Sequence, residues 1–165
     1  MHPTIISENF FKNVDEIISI SKKLKFEPPT SKDNWGGLRT ASLHHSHYSL
    51  FNEIILKILR FYLPTQDLKF SDSSVHFHKL IPGYKSKTHY HYDDGQLVGL
   101  IYLSPGDLKN GTTFFNKKEE KQIIVGNDYN TVVCYDARKY HGATTLNVKK
   151  ERLTLNVAIR NIKVS

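Results

Sequence analysis

At 165 residues, 39% hydrophobic and 24% charged, the chain has the size and balance of one globular domain with a single sizeable core. No apolar run is long enough to cross a bilayer, and the start MHPTIISENF lacks the basic, apolar and small-residue parts of a secretory signal. The formal net charge of +7 admits nucleic acid, phosphorylated ligands or acidic proteins as partners, but the lysines are scattered in ones and twos beside turn residues and select none of them.

The first element in chain order is a helix over about Val14 to Leu24, where Val14, Ile17, Ile18, Ile20 and Leu24 recur near helical spacing and Asn13 offers an N-cap. The stretch EPPTSKDNWGGLRT follows as a loop, since its Pro and Gly residues disfavour regular structure. A second helix is expected over Tyr48 to Tyr62 on the stripe Leu50, Ile54, Ile55, Ile58 and Leu59, stopped by Pro64.

Beyond Pro64 the period becomes strand-like. Strands are expected over Lys69 to Ile81, Ser86 to His91, Gln96 to Leu103 and Thr112 to Phe115, then Gln122 to Val125, Thr131 to Tyr135, Gly142 to Thr145 and Arg152 to Ile162. Turn signals separate them at Pro82-Gly83, Asp94-Gly95, Pro105-Gly106, Asn110-Gly111 and Gly126-Asn127. About eight short strands at this spacing predict a mainly β fold, a double-stranded β-helix of the jelly-roll or cupin-like kind, with the two helices on one outer face. No linker divides the chain, so residues 1–165 read as one domain. Cys134, the sole cysteine, sits in the apolar run VVCY and is expected to be a buried, inert thiol in a reducing cytoplasm.

The segment THYHYDDG holds His91 and Asp93 two residues apart, which on a strand puts imidazole and carboxylate on one face. His141, in KYHGAT, stands fifty residues later at the start of another expected strand. Two imidazoles and one carboxylate on one side of an octahedral ion leave three positions open, which suits Fe(II) taking a bidentate 2-oxo acid and then O2. A closed structural zinc site would want four ligands, usually with thiolates. Eleven residues past His141 comes Arg152, with Thr154 on the same strand face. A guanidinium there can bind the distal carboxylate of 2-oxoglutarate bidentately, and the hydroxyl can add a further hydrogen bond. Arg152 also precedes the apolar run LTLNVAI, where an inward arginine needs an anion.

His89 shares the strand face of His91 and competes with it as first ligand, but only the His91 register brings a carboxylate, Asp93, two residues on. Asp94 has the opposite parity and precedes Gly95, as a turn residue does. His76 and His78 form another same-face pair, read here as half-buried packing or solvent-facing residues rather than as part of an all-histidine site. His44, His45 and His47 read as a solvated cluster near the second helix.

The order H-Y-D, IYLSP, GTTFF, YNTVVCYDARKYHGAT, ERLTL resembles the 2-oxoglutarate/iron(II) dioxygenase superfamily, and its spacing resembles the prolyl-hydroxylase-like branch with its small bacterial and phage relatives. The opening SENFFKNVDEI and the segment NWGGLRT extend the resemblance over nearly the whole chain. The resemblance implies Fe(II), 2-oxoglutarate and O2, with His91, Asp93 and His141 as metal ligands and no catalytic side chain beyond them. It implies co-substrate contacts from Arg152, Thr154, Tyr102 and Tyr84, with Asn130 and Asn156 as inward polar residues. It also implies a peptidyl (prolyl-like) or free amino-acid substrate. A nucleic-acid oxidative demethylase competes, although Arg160 stands eight residues after Arg152, farther than the arginine pair of that branch. A non-catalytic, cupin-like metal- or ligand-binding protein is the alternative from another class.

Overall fold

Alternating apolar and polar residues can bury one face of a strand against helices and turn the other inward, and this arrangement organises the chain. The computed structural model describes residues 2–33, 35–83, 95–116, 120–144 and 148–164. In chain order the elements are β1 (Ile5–Ser7), α1 (Val14–Lys23), β2 (Leu38–Arg39), α2 (Tyr48–Tyr62), β3 (Leu68–Leu80), β4 (Leu97–Tyr102), β5 (Asp107–Phe115), β6 (Lys121–Asn127), β7 (Val132–Asp136), β8 (His141–Ala143) and β9 (Arg152–Val164). The strands form two sheets, ordered β1-β7-β4-β9-β3-β2 and β6-β5-β8, and every pairing among the described strands is antiparallel. This is the expected double-stranded β-helix with two helices on one outer face. Among the described residues, no helix is long and apolar enough to cross a membrane.

Both helices lie where the apolar stripes put them. Asn13 precedes α1 but its side chain makes no capping bond, contrary to expectation; Asp15 and Glu16 in the first turn and Lys22 and Lys23 in the last complement the helix dipole instead. Two further expectations are corrected. The stretch read as a loop contains β2, which pairs with the edge of β3 and is bridged by Arg39 to Glu27. Two residues carry no period, so this strand exists only because β3 offers an open edge. Asn110-Gly111, read as a turn, lies inside β5, where the pairing with β6 shifts register between Asp107 and Thr112. Gly111 permits this irregularity, since a Cβ there would sit 1.9 Å from the Val125 carbonyl oxygen. The strand expected over Ser86 to His91 lies outside the described residues.

The larger sheet has two different faces. On the outer face Leu97 and Ile101 of β4, Val132 and Cys134 of β7, Leu153, Leu155, Val157 and Ile159 of β9, and Val75 and Phe77 of β3 join Ile54, Ile55, Ile58 and Leu59 of α2 in the main core. Cys134 is fully buried there, and burial pushes its thiol up to about 12, which leaves it inert. The inner face presents Val98, Leu100 and Tyr102 of β4 with Val133 and Tyr135 of β7, packed on Phe114 and Val125 of the smaller sheet.

Ile58 is completely buried between α2 and the sheet. Ile58→Ala should therefore cost about 2–5 kcal/mol of unfolding free energy, measured by urea denaturation. A cost below 1 kcal/mol would contradict this packing.

Candidate metal and co-substrate site

β9 runs between β4 and β3, and its register fixes which side chains meet inside the roll. Ala158 pairs with Val98 and Ser74, Asn156 with Leu100 and His76, Thr154 with Tyr102 and His78, and Arg152 with Leu80. Residues directly opposite in a sheet share a face, so Arg152, Thr154, Asn156, His76, His78 and Tyr102 all lie on the inner side. The expected same-face relation of Arg152 and Thr154 is thus present.

Arg152 is 6% exposed, and one terminal nitrogen donates to the carbonyls of Asn110 (3.1 Å) and Gly111 (3.0 Å) on β5. Its Nε has no hydrogen-bond partner, and no carboxylate among the described residues pairs with it. Burial pulls the guanidinium down from its ordinary value, opposed by the neighbouring phenols of Tyr102 and Tyr135. An arginine nonetheless stays charged, so among the described residues a buried cation faces only neutral oxygens. Tyr102, fully buried, shares a hydrogen bond of 2.7 Å with the Thr112 hydroxyl of β5. Two hydroxyls carry two protons and use one between them, so this pair can give the other to an anion. The side-chain oxygen of Asn110 is also buried without a partner.

His141 begins β8, which pairs with β5 so that His141 stands opposite Phe114. The ring is buried at 4% exposure. Its Nδ1 lies 3.0 Å from the Lys139 carbonyl, which can only accept, so Nδ1 carries a proton and, in the neutral ring, Nε2 is the lone-pair nitrogen. The Tyr135 hydroxyl approaches Nε2 at 3.2 Å. A backbone carbonyl fixing the tautomer of an imidazole whose other nitrogen is basic is the usual support of a metal-ligating histidine. The donor chemistry of His141 therefore fits a metal, and the buried, anion-deficient Arg152 fits a carboxylate.

The inner face of β3 and β9 carries a further network. The Nε2 of His78 contacts the Gly36 carbonyl, and its Nδ1 lies 3.2 Å from the Asn156 amide nitrogen. Thr154 donates its hydroxyl proton to the Asn156 side-chain oxygen at 2.8 Å, with the His78 carbonyl 3.5 Å away. His76 donates to the Thr40 carbonyl at 2.8 Å. Burial, then the charge of Arg39, pushes His78 down to about 3 against the Gly36 hydrogen bond. Both histidines face inward in hydrogen-bonded positions, so the solvent-facing alternative for this pair does not apply. Of the remaining polar expectations, Asn130 is bonded to the backbone of Phe11 through both side-chain atoms (2.9 and 2.8 Å) and ties the N-terminal segment down.

His91, Asp93, Asp94, His89 and Tyr84 lie outside the described residues, so the structure brings together Arg152, Thr154 and Tyr102 and positions His141 across the roll. Among the described residues no three His, Cys, Asp or Glu side chains cluster as a metal-binding group. Thr112 and Tyr135 were missed by motif reading. Period-two counting from Phe114 and Val133 places both on inner faces, and that signal was present in GTTFF and TVVCY.

No protein-family model and no curated protein sequence matches the chain. Solved structures do match its fold. A prolyl-4-hydroxylase from Pseudomonas putida is 16% identical with a TM-score of 0.64, over 98% of this chain and 94% of that one. An oxidoreductase of the 2OG-Fe(II) oxygenase family from Burkholderia pseudomallei is 14% identical with a TM-score of 0.70, over 96% and 88%. A prolyl hydroxylase from Trichoplax adhaerens, in complex with a hypoxia inducible factor peptide fragment, is 11% identical with a TM-score of 0.68, over 95% and 83%. The chain has the fold of the 2OG-Fe(II) oxygenases, as the resemblance of its motifs implied.

Because His78 is held near 3 when folded and titrates near 6.5 when free, acid favours the unfolded chain, which takes up a proton the folded one refuses. Its contribution to stability is full above pH 6.5 and falls from there toward pH 3, at about 1.4 kcal/mol per pH unit. His76, also lowered chiefly by burial, acts in the same direction. Urea midpoints should drop between pH 7 and pH 5, and drop less in His78→Gln. Equal pH dependence in both proteins would refute the buried neutral histidine.

Proposed function

We propose that this chain is a 2-oxoglutarate- and Fe(II)-dependent dioxygenase that hydroxylates a peptidyl, prolyl-like, or free amino-acid side chain. The observation that carries this reading is Arg152, a guanidinium buried inside the roll with an unpartnered Nε and no carboxylate among the described residues. Leaving a buried cation without an anion is expensive, and a carboxylate-bearing co-substrate relieves that cost. In this reading Arg152 grips the distal carboxylate and the Tyr102–Thr112 pair supplies one O–H. Tyr84 is proposed as a further co-substrate contact. The His141 Nε2 lone pair joins His91 and Asp93 as the metal ligands. When bound, Fe(II) and 2-oxoglutarate supply the oxidising chemistry, with O2 consumed and succinate and CO2 released.

The remaining inner side chains exclude water and orient. Val98, Leu100, Val133 and Phe114 pack with Tyr102 and Tyr135 in an apolar inner cluster, and surroundings of low polarity strengthen the charge contact made by Arg152. Peptide or amino-acid substrates are supported by prolyl hydroxylases among the fold relatives, one of them holding a peptide. The net charge of +7 keeps oligonucleotides as the competing substrates to be assayed.

Anaerobic addition of Fe(II) and 2-oxoglutarate should give a weak visible charge-transfer band, and His141→Ala should abolish it. No band from the intact protein would reject the proposal. Arg152→Ala should weaken 2-oxoglutarate binding about 100-fold, as expected for two charge-assisted hydrogen bonds, while metal affinity stays within about threefold. Equal loss of both would remove Arg152 from the co-substrate role. Succinate release should be stimulated by peptides or amino acids, and stimulation by methylated oligonucleotides alone would overturn the substrate class.

A further inference from the structure

The Gly36 carbonyl can only accept a hydrogen bond, so the His78 nitrogen facing it, Nε2, carries the ring proton. Nδ1 is then a bare lone pair, and what it meets 3.2 Å away must be an N–H, the amide nitrogen of Asn156. That choice turns the Asn156 oxygen toward Thr154, whose hydroxyl donates to it at 2.8 Å. The flipped carboxamide would set oxygen against the bare Nδ1. One carbonyl therefore sets the direction of every bond in the chain from Gly36 to Thr154. Gly37 makes the contact possible: its φ is +80°, and a Cβ there would lie 2.2 Å from the Lys79 carbonyl oxygen and 3.0 Å from His78 Nε2.

Two consequences follow for the inner face. Thr154 has spent its only proton and shows lone pairs alone, which cannot hold a carboxylate. Asn156 has given one of its two amide protons, and the second has no partner among the described residues. Asn156 is partly exposed on the inner side, whereas Leu155 and Val157 on either side of it are buried in the helix-side core. Along β9 it stands past Arg152 in the direction of Ala158, which pairs through Val98 with the row of Tyr135, the hydroxyl on His141.

We propose that Asn156 is a positioning residue for the co-substrate, donating its second amide N–H to an oxygen of the bound 2-oxo acid, and that His78 holds it in that orientation while Thr154 stays outside the carboxylate-binding set. This rests on the dioxygenase reading for the identity of the ligand. The burial and the Arg39 charge that keep His78 neutral also keep its Nδ1 available to Asn156.

The relay itself is read without any ligand. Nitrogen-15 NMR of histidine-labelled apoprotein should show His78 as the Nε2–H tautomer, not titrating between pH 7 and 5, with its Nδ1 resonance moved by Asn156→Ala. The ligand contact is read by calorimetry of 2-oxoglutarate binding to the Mn(II)-loaded protein without oxygen. Asn156→Ala should weaken binding about tenfold, the loss of one hydrogen bond to a charged group, and Thr154→Val should change it by less than about twofold. Asn156→Asp, which keeps the shape but loses the amide protons, serves if the alanine variant does not fold, and it should raise the His78 titration toward neutral pH. An Nδ1–H tautomer, or a loss in Thr154→Val equal to that in Asn156→Ala, would overturn the inference. Absence of 2-oxoglutarate binding by the wild-type protein, with the NMR relay intact, would sink the dioxygenase reading and the ligand contact while leaving the orientation of Asn156 standing.

Discussion

The two-faced register of β9 is the constraint on which the site depends. Leu153, Leu155, Val157 and Ile159 can be buried against the helices only if Arg152, Thr154, Asn156 and Ala158 point into the roll. A slip by one residue would exchange the two sets and place a guanidinium beneath α2. The apolar half of the strand thus holds the polar half in place, and the hydrophobic core and the polar interior are specified by the same alternation. Pairing with β4 on one side and β3 on the other then decides the neighbours, Tyr102 and His78 for Thr154, Leu100 and His76 for Asn156.

Such an interior carries an energetic burden, because each buried polar group must find a partner or lose its hydration without return. The chain meets most of it locally. Carbonyls of the β5 irregularity take one side of Arg152, Thr112 takes Tyr102, and backbone oxygens flanking β2 take His76 and His78. Among the described residues, Arg152 Nε and Asn110 Oδ1, at one corner between β5 and β9, are buried side-chain atoms without partners, as are Asn127 Oδ1 and Thr131 Oγ1 elsewhere. No carboxylate among the described residues closes that corner. Because Asn110 Oδ1 can only accept, the preference of the corner for an anion rests on the Arg152 guanidinium.

Legibility in the sequence followed the length scale of each signal. Helices with four or five stripe residues were read to within a residue of their ends, and strands with several alternations were found. β2 was invisible because two residues cannot display a period, and it forms only on the edge that β3 leaves open. Asn110-Gly111 misled because the dipeptide that favours a turn also fits an irregularity within a strand; which one forms depends on how closely Val125 approaches. The histidine pair on β3 was read as to parity but not as to role. The partners of His78, Gly36 and Asn156, lie 42 and 78 residues away along the chain, and Thr40, the partner of His76, lies 36 away.

The sequence by itself determined the double-sheet architecture, the helix-covered face, and the shared side of Arg152 and Thr154, because periodicity is a local property of the chain. Only the tertiary structure decided that Arg152 is buried without a carboxylate among the described residues, that His141 carries its proton on Nδ1, and that Thr154 gives its proton to Asn156. These are properties of atoms brought together from distant segments. Their hydrogen-bond directions are set by which partners can only accept, and no local pattern in the chain encodes that.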